Sequence, residues 1–259
     1  MKMFVSERRS KIMHLLQDKQ RLTVKELASK IGVSEATLRS DLNQMEEEGL
    51  LTRTHGGAIL NEFTTNETSF SARAKRNQKQ KRLIAEKALD FVVEKQCILL
   101  DASSTTIELA YLLKQKNIRL TVITSGVKAA LELNENPNIT VILIGGMLTK
   151  GSTSLEGTLG IDLLDQVNID LMFTSANGFT PESGLTDFNL YEVQLKRELV
   201  KKSNVVIALI DHSKIGTVSS GVFAKTDQVN TIITDKEVEE SITNELTSRN
   251  IELINAASL

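Results

Sequence analysis

The 259-residue chain reads as an α/β protein in two parts: a small helical module ending in a β-hairpin, then a mostly parallel sheet domain wrapped by helices. Three observations predict this. Short amphipathic helical patterns joined by tight turns fill the first 60 residues. A polar stretch rich in Thr, Ser and Asn follows over 61–75, as in a linker. From Gln96 onward, apolar runs alternate with helical patterns, the signature of strands buried on both faces. The expected boundaries are therefore 1–60, a linker over 61–75, and a second domain over 76–259.

In the front module, Ser6 is placed to cap a first helix whose Ile12, Met13 and Leu16 share a face. Thr23 and Glu26 form a capping-box pattern before Val24, Leu27, Ala28 and Ile31 at helical spacing. Gly32 supplies a C-terminal turn and Ser34 the next cap, which is helix-turn-helix spacing. In the following helix Leu38, Leu42 and Met45 make the buried stripe. That leaves Thr37, Ser40, Asn43 and Gln44 on the opposite face and Arg39 at its border, side chains of the kind that meet base edges and phosphates. "LLTRTHGGAIL" then reads as a hairpin, a wing whose Arg53 and His55 lie along a nucleic-acid backbone. The Glu46-Glu47-Glu48 run repels phosphate, so contacts are expected from the first two turns of the helix, beginning at Ser34. Charge agrees. Residues 1–60 carry ten Lys/Arg against eight Asp/Glu and 61–90 seven against four, so a net charge of −2 hides a basic front and an acidic body.

"LTVKELASKIGVSEATLRSDLNQMEEEGLLTRTHGGAIL" resembles the winged helix-turn-helix of the DeoR family of bacterial transcription regulators, in the order of its elements and in the terminal "THGGA". Members commonly carry two consecutive arginines in the recognition helix. Here Arg39-Ser40 stands at that place, which bears on the bases read. The stretch "ETSFSARAKRNQKQKRLIAEKA" resembles the joint of the same family. Its helical part has Leu83, Ile84, Ala88 and Phe91 as apolar positions, and Lys75, Arg76, Lys79, Lys81 and Arg82 read as a solvated basic face near the hinge, with contact to DNA phosphate as the alternative.

In the body, "CILL", "LTVIT", "ITVILI", "IDLMFT", "VVIALI" and "NTIIT" read as strands. "TTIELAYLLKQK", "VKAALELN", "TLGIDLLDQV", "NLYEVQLKRELVKKS" and "KEVEESITNELTS" read as helices. Ligands in such sheets sit at the carboxyl ends of the strands. Those ends carry Asp101 with Ser103, Ser104, Thr105 and Thr106; Ser125 and Gly126; Gly145 and Gly146; Asn177 and Gly178; and Asp211 with Lys214. Small and hydroxylated residues before helix starts let an anion approach backbone N–H groups, and Lys214 is the cation expected to neutralise it. "DASSTT", "GG", "SGLTD" and "DHSKIG" also resemble the sugar-phosphate-sensing domain of the DeoR family, which is similar in fold to ribose-5-phosphate isomerase.

The resemblance implies a DNA-binding regulator, expected to be a repressor of sugar genes, that recognises a double-stranded operator as a dimer or tetramer and responds to a phosphorylated sugar. The alternative is a sugar-phosphate isomerase-like enzyme with an appended helical domain. Against it, Ala176-Asn177-Gly178 lacks a carboxylate to move protons, although Asp187 and Glu192 lie downstream and His212 sits nearby. Sugar selectivity is expected among Met147, Glu156, Phe179 and Tyr191. No metal-ligand spacing or nucleotide fingerprint is present, so no cofactor is expected. Cys97, the single cysteine, reads as a buried small hydrophobe. With neither an apolar leader nor a membrane-length run, the expected place is the cytoplasm.

Overall fold

Apolar spacing partitions this chain before any long-range contact is considered, and the computed structural model follows that partition. It describes residues 8–9, 11–12, 15–16, 19, 21–47, 51–54, 56–59, 70–148 and 152–258. Ser6, Met13, Glu48 and His55 lie outside them, as does the Glu47 side chain. The chain divides into two units, Met1–Arg76 and Asn77–Leu259.

In the first unit the described residues from Arg8 to Lys19 are helical, with Ile12 and Leu16 fully buried. Strand β1 (Arg21–Thr23) leads into helix α1 (Val24–Ile31) through a closed capping box. Thr23 Oγ1 accepts from the Glu26 amide at 3.2 Å, and Glu26 Oε2 accepts from the Thr23 amide at 2.8 Å. Gly32, at φ 80°, ends α1 in the left-handed turn that glycine alone adopts without strain. Helix α2 (Glu35–Glu47) follows, and Ser34 Oγ caps it by accepting from the Thr37 amide at 3.1 Å. Leu38, Leu42 and Met45 are fully buried against Leu22, Leu27 and Leu51. The expected hairpin is present as β2 (Thr52–Thr54) and β3 (Gly57–Ile59), in the order β1-β3-β2. The third strand, β1, was not visible in so short and polar a stretch. It explains Gly57, because a Cβ there would stand 2.1 Å from the Leu22 carbonyl oxygen. Phe70–Lys75 forms helix α3, so the stretch expected to be a linker ends in a turn and a half of helix.

The second unit opens with α4 (Gln78–Ala88) and a seven-stranded sheet in which every pair is parallel. Its strands are β4 (Cys97–Leu100), β5 (Leu120–Thr124), β6 (Ile139–Leu143), β9 (Ile169–Thr174), β12 (Ser203–Leu209), β14 (Thr231–Thr234) and β15 (Glu252–Asn255). The order is β15-β14-β12-β9-β4-β5-β6. Six of the seven match the apolar runs. The chain moves outward one way from β4 to β6 and the other way from β9 to β15, so the winding reverses between β4 and β9. Helices α5 (Thr106–Lys114), α6 (Val127–Leu133), α7 (Leu190–Lys202) and α8 (Glu240–Ser248) fill four of the five helical patterns.

The fifth pattern, "TLGIDLLDQV", is corrected. Ile161–Gln166 is a 3₁₀ stretch between Gly160 and extended Val167, and of its residues Leu164 is buried. One short turn flanked by glycine gives an α-helix too little length to propagate. Two accessory sheets complete the unit: the hairpin β7 (Met147–Leu148) with β8 (Leu155–Glu156), and the antiparallel trio β10 (Gly178–Thr180), β11 (Gly184–Asp187) and β13 (Gly221–Ala224). No helix among the described residues is long and apolar enough to cross a membrane. Cys97 is half-buried at the start of β4, and burial pushes its thiol pKa up.

Candidate functional site

The winding reverses between β4 and β9, and a parallel sheet binds ligands in the crevice outside the carboxyl ends of its strands at such a switch point. Register places Leu100 opposite Phe173, so Asp101 meets Thr174 and Ser175 one step beyond. Asp101 is 1% exposed and fully engaged. Its Oδ1 accepts from the Ser103 amide at 3.0 Å and Thr106 Oγ1 at 2.9 Å; its Oδ2 accepts from Thr174 Oγ1 at 2.7 Å and the Ser175 amide at 3.0 Å. Burial presses this carboxyl toward its neutral form, but Lys196, Ser103, Thr174 and Ser175 outweigh that and hold its pKa below the ordinary range. Asp101 is thus the fastener that shapes the turn.

That turn, Ser103 to Thr106, starts α5. Ser103 Oγ accepts from the Thr106 amide at 3.2 Å, and the Ile107 and Glu108 amides go to the Ser103 and Thr105 carbonyls at 3.3 and 3.1 Å. Across the crevice, Lys214 Nζ lies 3.4 Å from Ser175 Oγ, which is itself 3.3 Å from Thr105 Oγ1. Lys214 therefore faces the hydroxyl turn. It also stands 3.8 Å from Asp211 Oδ2, in a 3₁₀ turn (His212–Lys214) that Asp211 caps.

The other strand ends are placed differently. Ser125 and Gly126 are covered: the Ser125 carbonyl accepts from the Leu155 amide at 2.8 Å, and Gly126 bridges Ser154. A Cβ on Gly126 would stand 3.3 Å from the Ala102 Cα, so this turn abuts the Ser103 turn. Gly145 and Gly146 pack against backbone, since side chains on Gly160 and Gly146 would meet Gly145 and Glu156 main-chain atoms at 2.4 and 2.7 Å. Asn177 donates its amide to the Thr186 carbonyl at 2.9 Å, and Gly178 lets the Thr217 carbonyl approach. Phe179 belongs to the apolar core, whereas Met147 and Tyr191 are exposed and Glu156 is buried, accepting from Asn189 Nδ2 at 3.2 Å.

Two cations at the crevice escaped the sequence reading. Lys81, read as part of a solvated face, is 2% exposed and its Nζ donates to Ser104 Oγ at 3.0 Å. Lys196 is buried beneath the crevice, 2.8 Å from Asp187, 3.2 Å from Asp101 and 2.9 Å from the Ser175 carbonyl. Burial works against its charge, yet Asp187, Asp101 and Glu192 raise its pKa above the ordinary lysine value. Lys214 is therefore not the sole cation near the socket. A signal existed for both. Lys81 precedes Ile84, Ala85 and Ala88 at i+3, i+4 and i+7, and Lys196 lies between Val193 and Val200 at helical spacing; a lysine on an apolar stripe is a lysine with a buried partner. The same network engages Asp187, whose other oxygen accepts from the Phe188 amide at 2.9 Å. His212 turns aside, its Nδ1 2.7 Å from Asp235 and its Nε2 3.2 Å from Lys236. No group of residues suited to holding a metal occurs among the described residues.

On the first unit, Ser34, Thr37, Arg39, Ser40, Asn43 and Gln44 are exposed along α2. Arg39 lies 3.5 Å from Glu35, and Asn43 Oδ1 accepts from the Arg53 guanidinium. Glu46 Oε1 accepts from the Arg53 amide at 2.7 Å, which fixes the wing to the last turns of α2 and occupies that carboxylate.

Comparison with known proteins covers both units. Residues 8–64 match the DeoR-like helix-turn-helix domain and residues 76–236 the DeoR C-terminal sensor domain. The HTH-type transcriptional regulator GolR of Listeria innocua is 45% identical over 93% of this chain and 94% of its own. The HTH-type transcriptional repressor GlcR of Bacillus subtilis is 30% identical over 97% and 96%, and the L-fucose operon activator of Haemophilus influenzae 32% identical over 89% and 92%. Among solved structures, a ribose-5-phosphate isomerase in complex with phospho-erythronic acid matches 53% of this chain and 54% of its own, at TM-score 0.41 and 22% identity. The chain belongs to the DeoR family of HTH-type transcriptional regulators.

Proposed function

We propose that the crevice between β4 and β9 binds a phosphorylated sugar and that its occupancy governs how α2 and the wing hold a double-stranded DNA operator of sugar uptake or metabolism genes. The observation that carries the reading is the facing of Lys214 and the Ser103–Thr106 turn through Ser175. A dianionic phosphate there meets the Ser103 hydroxyl and the Lys214 ammonium, the partly exposed groups of the two turns, with Lys81 adding its charge from beneath Ser104, and a charge-assisted hydrogen bond contributes roughly 1.5–3 kcal/mol. Repression is the proposed sense, as in the GlcR relative, although the L-fucose operon activator shows the opposite sense in a protein of similar length.

One winged module covers about 600–1,000 Å² of DNA, too little for tight specific binding, so the proposed form on DNA is a dimer or tetramer, acting in the cytoplasm. A thermal-shift screen of phosphorylated sugars on the wild type and Lys214→Ala tests the socket. One compound stabilising the first protein and not the second supports it; equal stabilisation of both removes Lys214 from the site.

A further inference from the structure

Asn77 sits at an unusual helix start. It precedes α4 and is the first residue of the sensor unit, with a left-handed backbone at φ 52° and ψ 34°. Asparagine tolerates that conformation better than most residues and is also a preferred N-cap. Its side chain nevertheless makes no capping bond to α4. Instead Nδ2 donates to Asp211 Oδ1 at 2.9 Å and to Ser213 Oγ at 3.2 Å, 134 and 136 residues further along the chain. A helix end has given up its local cap, in a strained conformation, for the loop that carries Lys214.

The Asp211–Lys214 turn is tight. Asp211 Oδ1 also accepts from the Ser213 amide at 3.2 Å and from Ser213 Oγ at 2.5 Å, and Asp211 is 1% exposed. Lys214 divides its charge between this carboxylate and the crevice. An anion in the crevice draws the ammonium away from Asp211 Oδ2, while Asn77 and Ser213 keep their bonds to Oδ1 of the same carboxylate. Turn and Asn77 then move together, because the bonds joining them strengthen as the competing charge withdraws. Next to Asn77, Gln78 reaches a different element, its Nε2 3.4 Å from Glu108 Oε1 on α5, so the two neighbours contact the Asp211–Lys214 turn and α5 separately.

We infer that Asn77 is the positioning residue that transmits occupancy of the crevice to the DNA-binding unit, by binding the Asp211–Lys214 turn at the point where the chain arrives from Arg76. The inference rests on the socket reading above and adds the residue through which the socket acts.

Asn77→Gly tests it, since glycine keeps the left-handed backbone accessible while deleting the amide. Gln78→Ala is the neighbouring control. The first measurement is a thermal-shift screen of the wild type with inorganic phosphate, ribose 5-phosphate, fructose 6-phosphate and glucose 6-phosphate. The second is fluorescence anisotropy on DNA selected by the wild-type protein from a random-sequence pool, with and without the stabilising compound. In the wild type and Gln78→Ala the compound is expected to change DNA affinity by about fivefold or more, whereas in Asn77→Gly the change falls below about twofold while the compound still binds. Full coupling in Asn77→Gly overturns the inference, as does equal loss in Gln78→Ala. Should Asn77→Gly fail to fold, hydrogen exchange on the wild type decides. The compound is expected to change protection over 77–82 together with 211–216, and a change confined to 211–216 overturns the relay. If no phosphorylated compound stabilises the wild type, the socket reading itself falls, and the screen shows this before any variant is used.

Discussion

The two candidate sites treat their polar side chains in opposite ways. Along α2, Ser34, Thr37, Arg39, Ser40 and Asn43 remain exposed to water. At the sheet ends, Asp101, Ser104, Thr105, Thr106 and Asp211 are all 2% exposed or less, and each has a partner within the unit. On the proposed function, the contrast follows from what each would meet. A DNA duplex is large and brings its own charge, so a solvated face can adapt as it docks. A small anion offers few contacts, and affinity then depends on donors fixed in advance, since ordering them on binding would offset the gain. On that reading, exposure marks the surface that recognises and burial the residues that hold a recognising turn in shape.

The largest effect should come from the buried ammonium that two carboxylates share. Lys196→Met leaves Asp101 and Asp187 without their shared ammonium, and breaking a buried pair costs about 3–5 kcal/mol. Tyr111 and Tyr191, the only tyrosines in a chain with no tryptophan, both lie in the second unit, so tyrosine fluorescence reports its melting. A fall in Tm on the order of 10 °C is expected. A melt within about 2 °C of wild type would show that the network is incidental.

Next comes pH. Asp101 and Asp211 have folded pKa values below the ordinary carboxylate value of about 3.9, so the stability they contribute is complete above that value and is lost as pH falls through the folded values. Lys196 has the opposite sign: its pKa is raised, so its contribution is complete below about 10.4 and is lost as pH rises through the folded value. Urea titration of the wild type, followed by tyrosine fluorescence, should give a plateau across neutral pH and a decline below about pH 4. Constant stability from pH 5 down to 3 would contradict the assigned partners of both aspartates.

These residues also show how far the sequence could be read. The α2 face was legible because Leu38, Leu42 and Met45 fix the buried stripe and everything polar must point elsewhere. The β4 turn was legible because a strand, a hydroxyl run and a helix start are local patterns. Lys81 and Lys196 were not, since their partners Ser104, Asp101 and Asp187 lie on other elements and only the fold brings them near. Gly145 and Gly146 were read as anion contacts, whereas their freedom of space is used by Gly160 and Glu156, a demand set by tertiary packing. Strand β15 was too short to stand out, its four residues "ELIN" opening on a charge.

On the solvated face the expected change is smaller and different in kind. Arg39→Ala should weaken DNA binding across sequences and lower the slope of log affinity against log salt by about 1, as loss of one phosphate contact requires. Loss at one base position with an unchanged slope would make Arg39 a base reader instead. The tyrosine melt serves as the control, because an exposed side chain paired with Glu35 at 3.5 Å has little stability to lose.

The smallest effect belongs to Thr23→Ala, at about 1 kcal/mol. The hydroxyl accepts from the Glu26 amide at 3.2 Å and donates to Glu26 Oε2 at 2.7 Å, so alanine removes both bonds. It does not remove the reciprocal one: the Thr23 amide still reaches Glu26 Oε2 at 2.8 Å, and pairing of β1 with Gly57 uses backbone alone. Half of the capping box survives, and water replaces the rest at an exposed helix end. Amide exchange at Glu26 and Leu27 should therefore quicken by about fivefold, with α1 otherwise intact. A loss as large as that of Lys196→Met would mean that the cap is buried in function if not in position, and the division between adaptable surface and fixed interior would no longer separate the two sites.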